Sequence, residues 1–513
     1  MKNKGPIAVI DVGAHFARLE IAQIMGDNRK YETLERLTQI APLGLDVFTK
    51  GKISTANMVL VGKILKDFSK VIKEYKVEHV RTVATSAVRE ATNRELFIDR
   101  VWRISGIKLK VLECPEEAKI MFLAMTETIG DQFAFNKKNA IGCTIGTGTT
   151  QISFIEKGIL KSSEAIRVGS LRLVEELERP MNAKQLKQAI KPFVKTEAVG
   201  VLAQSSLSLK NGLLIGMGSS VRAFLKLNSS FNQSKAQVLS LSKAKFEEIY
   251  AKISELSPTE IAEKYDISET LAQSIEPSCG ILYHFLNITN IDKLIIPLIS
   301  TRDAIINDFI NEISNIEDPF APHLESCVKT LGEKYKYDSA HAEAVADTAL
   351  KIFDKTKYLH GLHDENKKLL KIAAILHDIG FFVNTRRHHK HSYYLIQNSQ
   401  IPGLLENERA IVAAIARYHR RAFPKETHIE YSFLPSSEAK VAVTSLSAIL
   451  RIADALVFGH NLKIIDIKLN YRKQFLEIML DGPINLILEI WTARKKADLF
   501  KEIFGFKIRL TGK

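Results

Sequence analysis

Twice in its N-terminal third the chain writes the same phrase: an apolar strand, a glycine turn and a second, alternating strand. IAVIDVG (7–13) leads into ARLEIAQI (17–24), and NAIGCTIG (139–146) leads through Gly-Thr-Gly-Thr-Thr into TQISFIEKG (150–158). Alternation at period two marks half-buried strands, and glycine supplies the turn. Helical periodicity follows each unit. In the first block it is MVLVGKILKDFSKVIKEY (58–75) and PEEAKIMFLAMTETI (115–129). In the second, GLLIGMGS (212–219) feeds SVRAFLKL. Strand and helix signals that recur in this order predict a duplication: two α/β lobes with a cleft between them, where ligands of α/β sheets bind.

Beyond about residue 305 the pattern changes. From Phe320 to about Leu456 the signal is almost wholly helical and rich in His, Ala, Leu and Tyr, after a polar stretch, NEISNIEDPFAP, that reads as a linker. The tail alternates again in LKIIDIKLN, QFLEIMLD, LILEIW and FKIRL, which reads as a small strand-bearing α/β unit. The fold class expected is α/β plus α, with divisions at 1–130, 131–310, 311–460 and 461–513.

Composition narrows the setting. Hydrophobic residues make up 46% and charged residues 25%, as in globular chains. No apolar run reaches the length of a membrane span. The apolar start meets Asp11 too soon for a signal peptide and reads as a first strand. Cys114, Cys143, Cys279 and Cys327 are scattered without a CxxC pair, which argues for a reducing, cytoplasmic setting. A formal net charge of +14 favours a polyanionic partner, but charge alone does not choose among nucleic acid, polyphosphate, a phosphorylated nucleotide and an anionic membrane.

Five stretches occur in one order: IDVGAHFARLEI, VATSAVREATN, LECPEEAKIMFL, CTIGTGTTQISF and LLIGMGSSVRAF. Together they resemble the exopolyphosphatase / guanosine pentaphosphate phosphatase family, and EAIRVGSLRL resembles that family's Leu-Gly-x-x-Arg-Leu segment. The resemblance runs over essentially the whole chain. It implies two actin-like (RNase H-like) lobes, a magnesium-dependent phosphatase acting on polyphosphate or guanosine pentaphosphate in the cleft, and a homodimer. No membrane and no specific nucleic acid partner is expected.

The residues themselves point the same way. Asp11 ends a strand beside Gly13, where its carboxylate suits a magnesium ion and its waters. Arg18 can meet phosphate. Thr85, Ser86 and Arg89 form a hydroxyl-rich helix start with a cation, and Thr85 and Ser86 are placed to cap it. Gly146, Thr147, Gly148 and Thr149 form a loop whose backbone N–H groups can close on an anion. Gly216, Gly218, Ser219 and Arg222 make a further glycine turn before a helix. Of Glu116 and Glu117, the resemblance implies that Glu117 orients or deprotonates the attacking water, as a general base within hydrogen-bond reach. The chain also departs from the family's pattern. Thr144 and Gln151 stand where carboxylates are expected, and Ala14, His15 and Phe16 replace a Ser-Asn-Ser segment.

A second constellation lies in the helical region. The order His341, His377-Asp378, His391, His419, Asp454 resembles the His-Asp (HD-type) metal-dependent phosphohydrolases. It implies a divalent metal, manganese or similar, on His341, His377, Asp378 and Asp454, with His391 and His419 as further candidates. The pair His377-Asp378 ends a strongly apolar helix before Gly380 and so faces inward, where an unpaired carboxylate is costly and a metal relieves it. His388 and His389 read as a basic patch touching polyanion. Three functions follow: a phosphatase in the N-terminal cleft, a phosphohydrolase at the His-Asp site acting on a nucleotide or phosphate ester, and a weakly catalytic polyphosphate or alarmone sensor.

Overall fold

The computed structural model describes residues 5–26, 30–176, 183–203, 205, 207–227, 236–314, 316–420, 422–457, 463–481 and 487–512. The chain divides into two compact units, Met1–His323 and Leu324–Lys513.

The first unit holds two sheets of matching design. One contains β1 (Ile7–Val12), β2 (Phe16–Met25), β3 (Lys30–Ile40), β4 (His79–Ala84) and β5 (Lys110–Val111), in the order β3-β2-β1-β4-β5. The other contains β6 (Ala140–Ile145), β7 (Thr150–Glu156), β8 (Ile159–Ile166), β9 (Leu213–Met217), β10 (Val238–Ser242) and β11 (Lys293–Pro297), in the order β10-β11-β9-β6-β7-β8. Each sheet starts with an antiparallel meander and continues with parallel strands. The second adds β10 as an antiparallel edge. The duplication read from the two hairpins therefore extends to strand order and direction.

Parallel strands need a crossover, usually helical. Thr55–Glu74 supplies one between β3 and β4; it is capped where the Ser54 side chain accepts from the Asn57 N–H. Its apolar stripe packs with Ile10, Val12 and Leu19 in the first lobe's core. Helix Glu269–Thr289 and strands β6, β7 and β9 share the core of the second lobe. β3 was not anticipated: its charged alternation, KYETLERLTQI, leaves no residue buried, as befits an edge strand.

In the second unit, helices Ser339–Lys355, Asp364–Leu376, Glu406–Arg417 and Ser437–Leu456 pack on one another, with His388–Gln397 against Glu406–Arg417. A three-stranded sheet, β12 (Lys463–Asn470), β13 (Phe475–Asp481) and β14 (Lys507–Gly512), follows. LILEIW, expected as a strand, falls in helix Ile487–Lys496 from Ile487 onward. The reason is topological: β13 and β14 are parallel, so the segment joining them must cross over. Buried Arg451 ties the unit together, donating to the Tyr418 carbonyl at 2.8 Å and pairing with Asp498 at 3.2 Å. Among the described residues no helix is long and apolar enough to cross a membrane.

Candidate functional site

The two hairpins of the duplication open onto one cavity of about 170 Å³ in the first unit. Their turns close alike, Gly13 N–H donating to the Phe16 carbonyl and Gly146 N–H to that of Thr149, each at 2.9 Å. The facing pairs also correspond. Asp11 lies opposite Arg18 in the first hairpin, and Thr144 lies opposite Gln151 in the second. One lobe thus presents an ion pair where the other presents two neutral side chains.

Asp11 is buried, with Arg18 Nη1 3.4 Å from its Oδ2. Burial pushes its carboxyl above the usual range, against the pull of Arg18 and Arg302. Thr144 and Gln151 both line the cavity, with Gln151 Nε2 donating to Ser163 Oγ at 3.0 Å. Gly218, Ser219 and Arg222 line the cavity at the start of helix Ser219–Lys226. Gly218 has φ +135, and a Cβ there would lie 2.3 Å from the Ile145 carbonyl oxygen, so only glycine fits.

The sequence reading missed Ser300, Thr301 and Arg302 at the start of helix Thr301–Ile313, which complete the wall. A signal was present: Ser300 and Asp303 form a capping box. Arg18, Arg222 and Arg302 therefore share one small space. Burial lowers the Arg222 and Arg302 guanidinium pKa values; Asp303 (for Arg222) and Glu20 (for Arg302) oppose this, and the neighbouring arginines add to it. Cations crowded in a desolvated cavity are relieved by an anion.

Glu117 lines the same cavity from the first turn of helix Cys114–Ile129. Arg89 lies behind it, donating to Glu117 Oε2 at 3.1 Å and to the Leu112 carbonyl, and does not reach the cavity wall. Glu116 instead pairs with Lys110 at 2.6 Å. Thr85 and Ser86 line the cavity, but Thr85 makes no side-chain cap. Thr147 and Thr149 line it too, while Gly148 packs on Phe48 and Gly216 sits inside β9 against Leu282. The loop is held from behind: Arg172 Nε donates to the Gly148 carbonyl at 2.7 Å while its Nη2 meets Glu90 at 2.6 Å.

The second unit gathers another set. His341, His377 and Asp454 form one possible metal-holding group, and Asp378, His388 and His419 form another. Asp378 touches both, with His377 Nε2 3.3 Å from Oδ2 and His388 Nε2 3.1 Å from Oδ1. The Nδ1 atoms of His377, His388 and His419 each lie against the carbonyl three residues back, Ala374 at 2.7 Å, Thr385 at 3.2 Å and Ala416 at 2.6 Å. If those contacts fix the proton on Nδ1, every Nε2 lone pair faces inward, as metal-ligating histidines require. His388 and His419 then point bare nitrogens at each other across 3.2 Å, an arrangement a cation resolves. With the protons on Nδ1, the close approaches of His377 Nε2 and His388 Nε2 to Asp378 carry no hydrogen, which leaves His377 Nε2 and Asp378 Oδ1 buried and unsatisfied, and the donor set fits a divalent metal. Burial would depress the His377 imidazole, but Asp378 and Asp454 carry it up to about 9, so a metal at Nε2 would have to displace a proton that the same two carboxylates attract. His388, expected as a surface patch, is buried in this group, whereas His391, one turn along the helix, is outside it.

Glycine turns, helix starts and crowded arginines between duplicated α/β lobes form a site built for oxyanions. Residues 21–312 match the Ppx/GppA phosphatase family and residues 325–480 match its domain III. The chain belongs to the Ppx/GppA phosphatase family, and membership supports a hydrolase activity in general. It is 23% identical over 452 residues to a guanosine-5'-triphosphate,3'-diphosphate pyrophosphatase of Vibrio parahaemolyticus, covering 87% of this chain and 85% of that one. A protein of the same description from Aliivibrio fischeri is 23% identical over 487 residues, covering 93% and 91%. Among solved structures, an exopolyphosphatase from Cytophaga hutchinsonii superposes with TM-score 0.53 at 19% identity, covering 61% of this chain and 99% of its own. The Aquifex aeolicus family member gives 0.50 at 22%, covering 60% and 98%.

Proposed function

We propose that the chain hydrolyses terminal phosphoanhydride bonds of inorganic polyphosphate or guanosine pentaphosphate in the first unit's cavity, between lobes of actin-like type. The observation that carries this reading is the meeting of Arg18, Arg222 and Arg302 with Glu117 in the lining of one cavity. The arginines take the terminal phosphate's oxygens and offset the charge that builds on it. Glu117, held by Arg89, accepts a proton from the attacking water as its oxygen approaches phosphorus. The backbone of the Gly146–Thr149 turn and the helix start at Ser219 steady the next phosphates. Asp11 is the residue that would hold magnesium, which needs only one or two protein carboxylates when phosphates complete its shell. The metal would draw charge from the phosphate oxygens. With Thr144 and Gln151 neutral, the arginines carry more of that work in this chain.

A second reading is favoured by the His/Asp group of the second unit, taken here as an HD-type centre: a phosphohydrolase acting on a phosphate ester. Two divalent ions would be held by His341, His377 and Asp454 and by Asp378, His388 and His419. They would supply an activated water and polarise the phosphate.

Orthophosphate release from long-chain polyphosphate and from guanosine pentaphosphate, with magnesium, separates the readings. Loss of release in Glu117→Gln with release retained in Asp378→Ala supports the first. The reverse pattern moves the chemistry to the His/Asp centre. Substrate binding by the unmodified protein with no release would leave it a sensor.

A further inference from the structure

A cavity of about 540 Å³ opens over the His/Asp centre, more room than metal ions need. Its wall includes Lys336, Arg420 and Lys496, brought from three separate segments. Lys496 ends helix Ile487–Lys496, beyond the residues that match the family's domain III. Its ammonium bonds Asp454 Oδ2, leaving Asp454 Oδ1 turned to His341 and His377 at 3.7 and 3.9 Å. Lys336 is held in the left-handed region at φ 50. Among the described residues neither Lys336 nor Arg420 pairs with a carboxylate. Apart from Asp378 and Asp454 of the centre itself, the acid on the wall among the described residues is Asp338, which caps helix Ser339–Lys355 by accepting from the His341 N–H at 3.0 Å.

We propose that Lys496, Arg420 and Lys336 form a phosphate-recognition wall that makes the His/Asp centre selective for phosphomonoesters over phosphodiesters. The proposal rests on the reading of that centre as a metal site. A phosphomonoester carries up to two negative charges and three terminal oxygens. A monoester would therefore keep an oxygen for the wall beyond those a bound metal would take. A diester has one charge and two such oxygens, and its second ester group would press on the cations without offering them an anion. In the reaction the water oxygen bonds to phosphorus and the P–O ester bond breaks. One water proton leaves on the alcohol and the other stays with the phosphate. Lys496 has a double part: it fixes Asp454 as a positioning residue and adds charge to the wall.

The test uses the full chain loaded with manganese. Metal content is measured by elemental analysis, inorganic phosphate binding by calorimetry, and turnover with p-nitrophenyl phosphate and bis(p-nitrophenyl) phosphate. Arg420→Met should keep its manganese and bind phosphate roughly tenfold more weakly, the scale of one lost charge-assisted hydrogen bond, and Lys496→Met should weaken phosphate binding at least as much while also loosening manganese through Asp454. In Arg420→Met monoester kcat/KM should fall alongside with the diester rate held, and Lys496→Arg should recover the phosphate binding lost in Lys496→Met. Unchanged phosphate affinity and monoester preference in both methionine variants would overturn the proposal. So would loss of manganese in Lys496→Met with normal phosphate affinity in Arg420→Met, which would reduce Lys496 to a support for Asp454. Manganese uptake by the unmodified protein no greater than by Asp378→Ala would instead sink the reading of the centre, and the wall with it.

Discussion

Two residues opposite each other can be compared across the duplication as in an internal experiment. Asp11 and Arg18 hold the position that Thr144 and Gln151 hold in the second lobe. The backbone is the same, so the difference is one of charge. Glu117 depends on Arg89 for its orientation. Arg89→Met should therefore lower kcat roughly tenfold with KM nearly unchanged, a smaller loss than the roughly 10²- to 10⁴-fold expected for Glu117→Gln; steady-state kinetics on polyphosphate reads the split. Gly218→Ala should cost at least about 1–3 kcal/mol, because the backbone conformation is strained for any L-residue and the Ile145 carbonyl cannot withdraw. A urea titration measures it. Glu175, half buried with one oxygen lacking a partner, has its carboxyl pushed up by burial, against Arg172, to about 7 from 4.5. A raised folded value means its contribution to stability is intact below pH 4.5 and lost as pH rises through about 7. Glu175→Gln should flatten that decline in thermal melts taken across the window.

At the level of elements, helix ends and strand ends decide what reaches each site. Helix His388–Gln397 begins at the residue that matters, so His388 enters the candidate metal-holding group while His391 stays outside the cavity. The resemblance to the His-Asp phosphohydrolases ranked these two histidines the other way, since both fall within HHKH and neither spacing nor composition marks where the helix starts. The structure predicts that His388→Ala loses about one of two manganese equivalents, whereas His391→Ala keeps both; elemental analysis after gel filtration distinguishes them. Elsewhere the local rules held. Pro115 and the acids Glu116 and Glu117 opened a helix, and glycine turns closed both hairpins.

For the whole molecule, the two units have separate internal cores, so unfolding need not be a single transition. Manganese should raise only the transition belonging to Leu324–Lys513, by about 2.7 kcal/mol at a hundredfold excess over its Kd, and the rise should vanish in Asp378→Ala. Differential scanning calorimetry with and without metal follows both transitions.

The amino-acid order by itself determined the duplicated hairpins, the helical second half, the cavity-lining glycines at 146 and 218 and most of the histidine set. The histidine set came from its order along the chain and the resemblance that order carries; the others depend on local periodicity and turn chemistry, which neighbours along the chain express. Only the tertiary structure decided that Arg302 joins Arg18 and Arg222, that Arg89 serves Glu117 rather than the cavity, and that Lys496 reaches Asp454. Those partners are separated by tens to hundreds of residues. Their meeting follows from how sheets and helices pack, which no window along the chain contains.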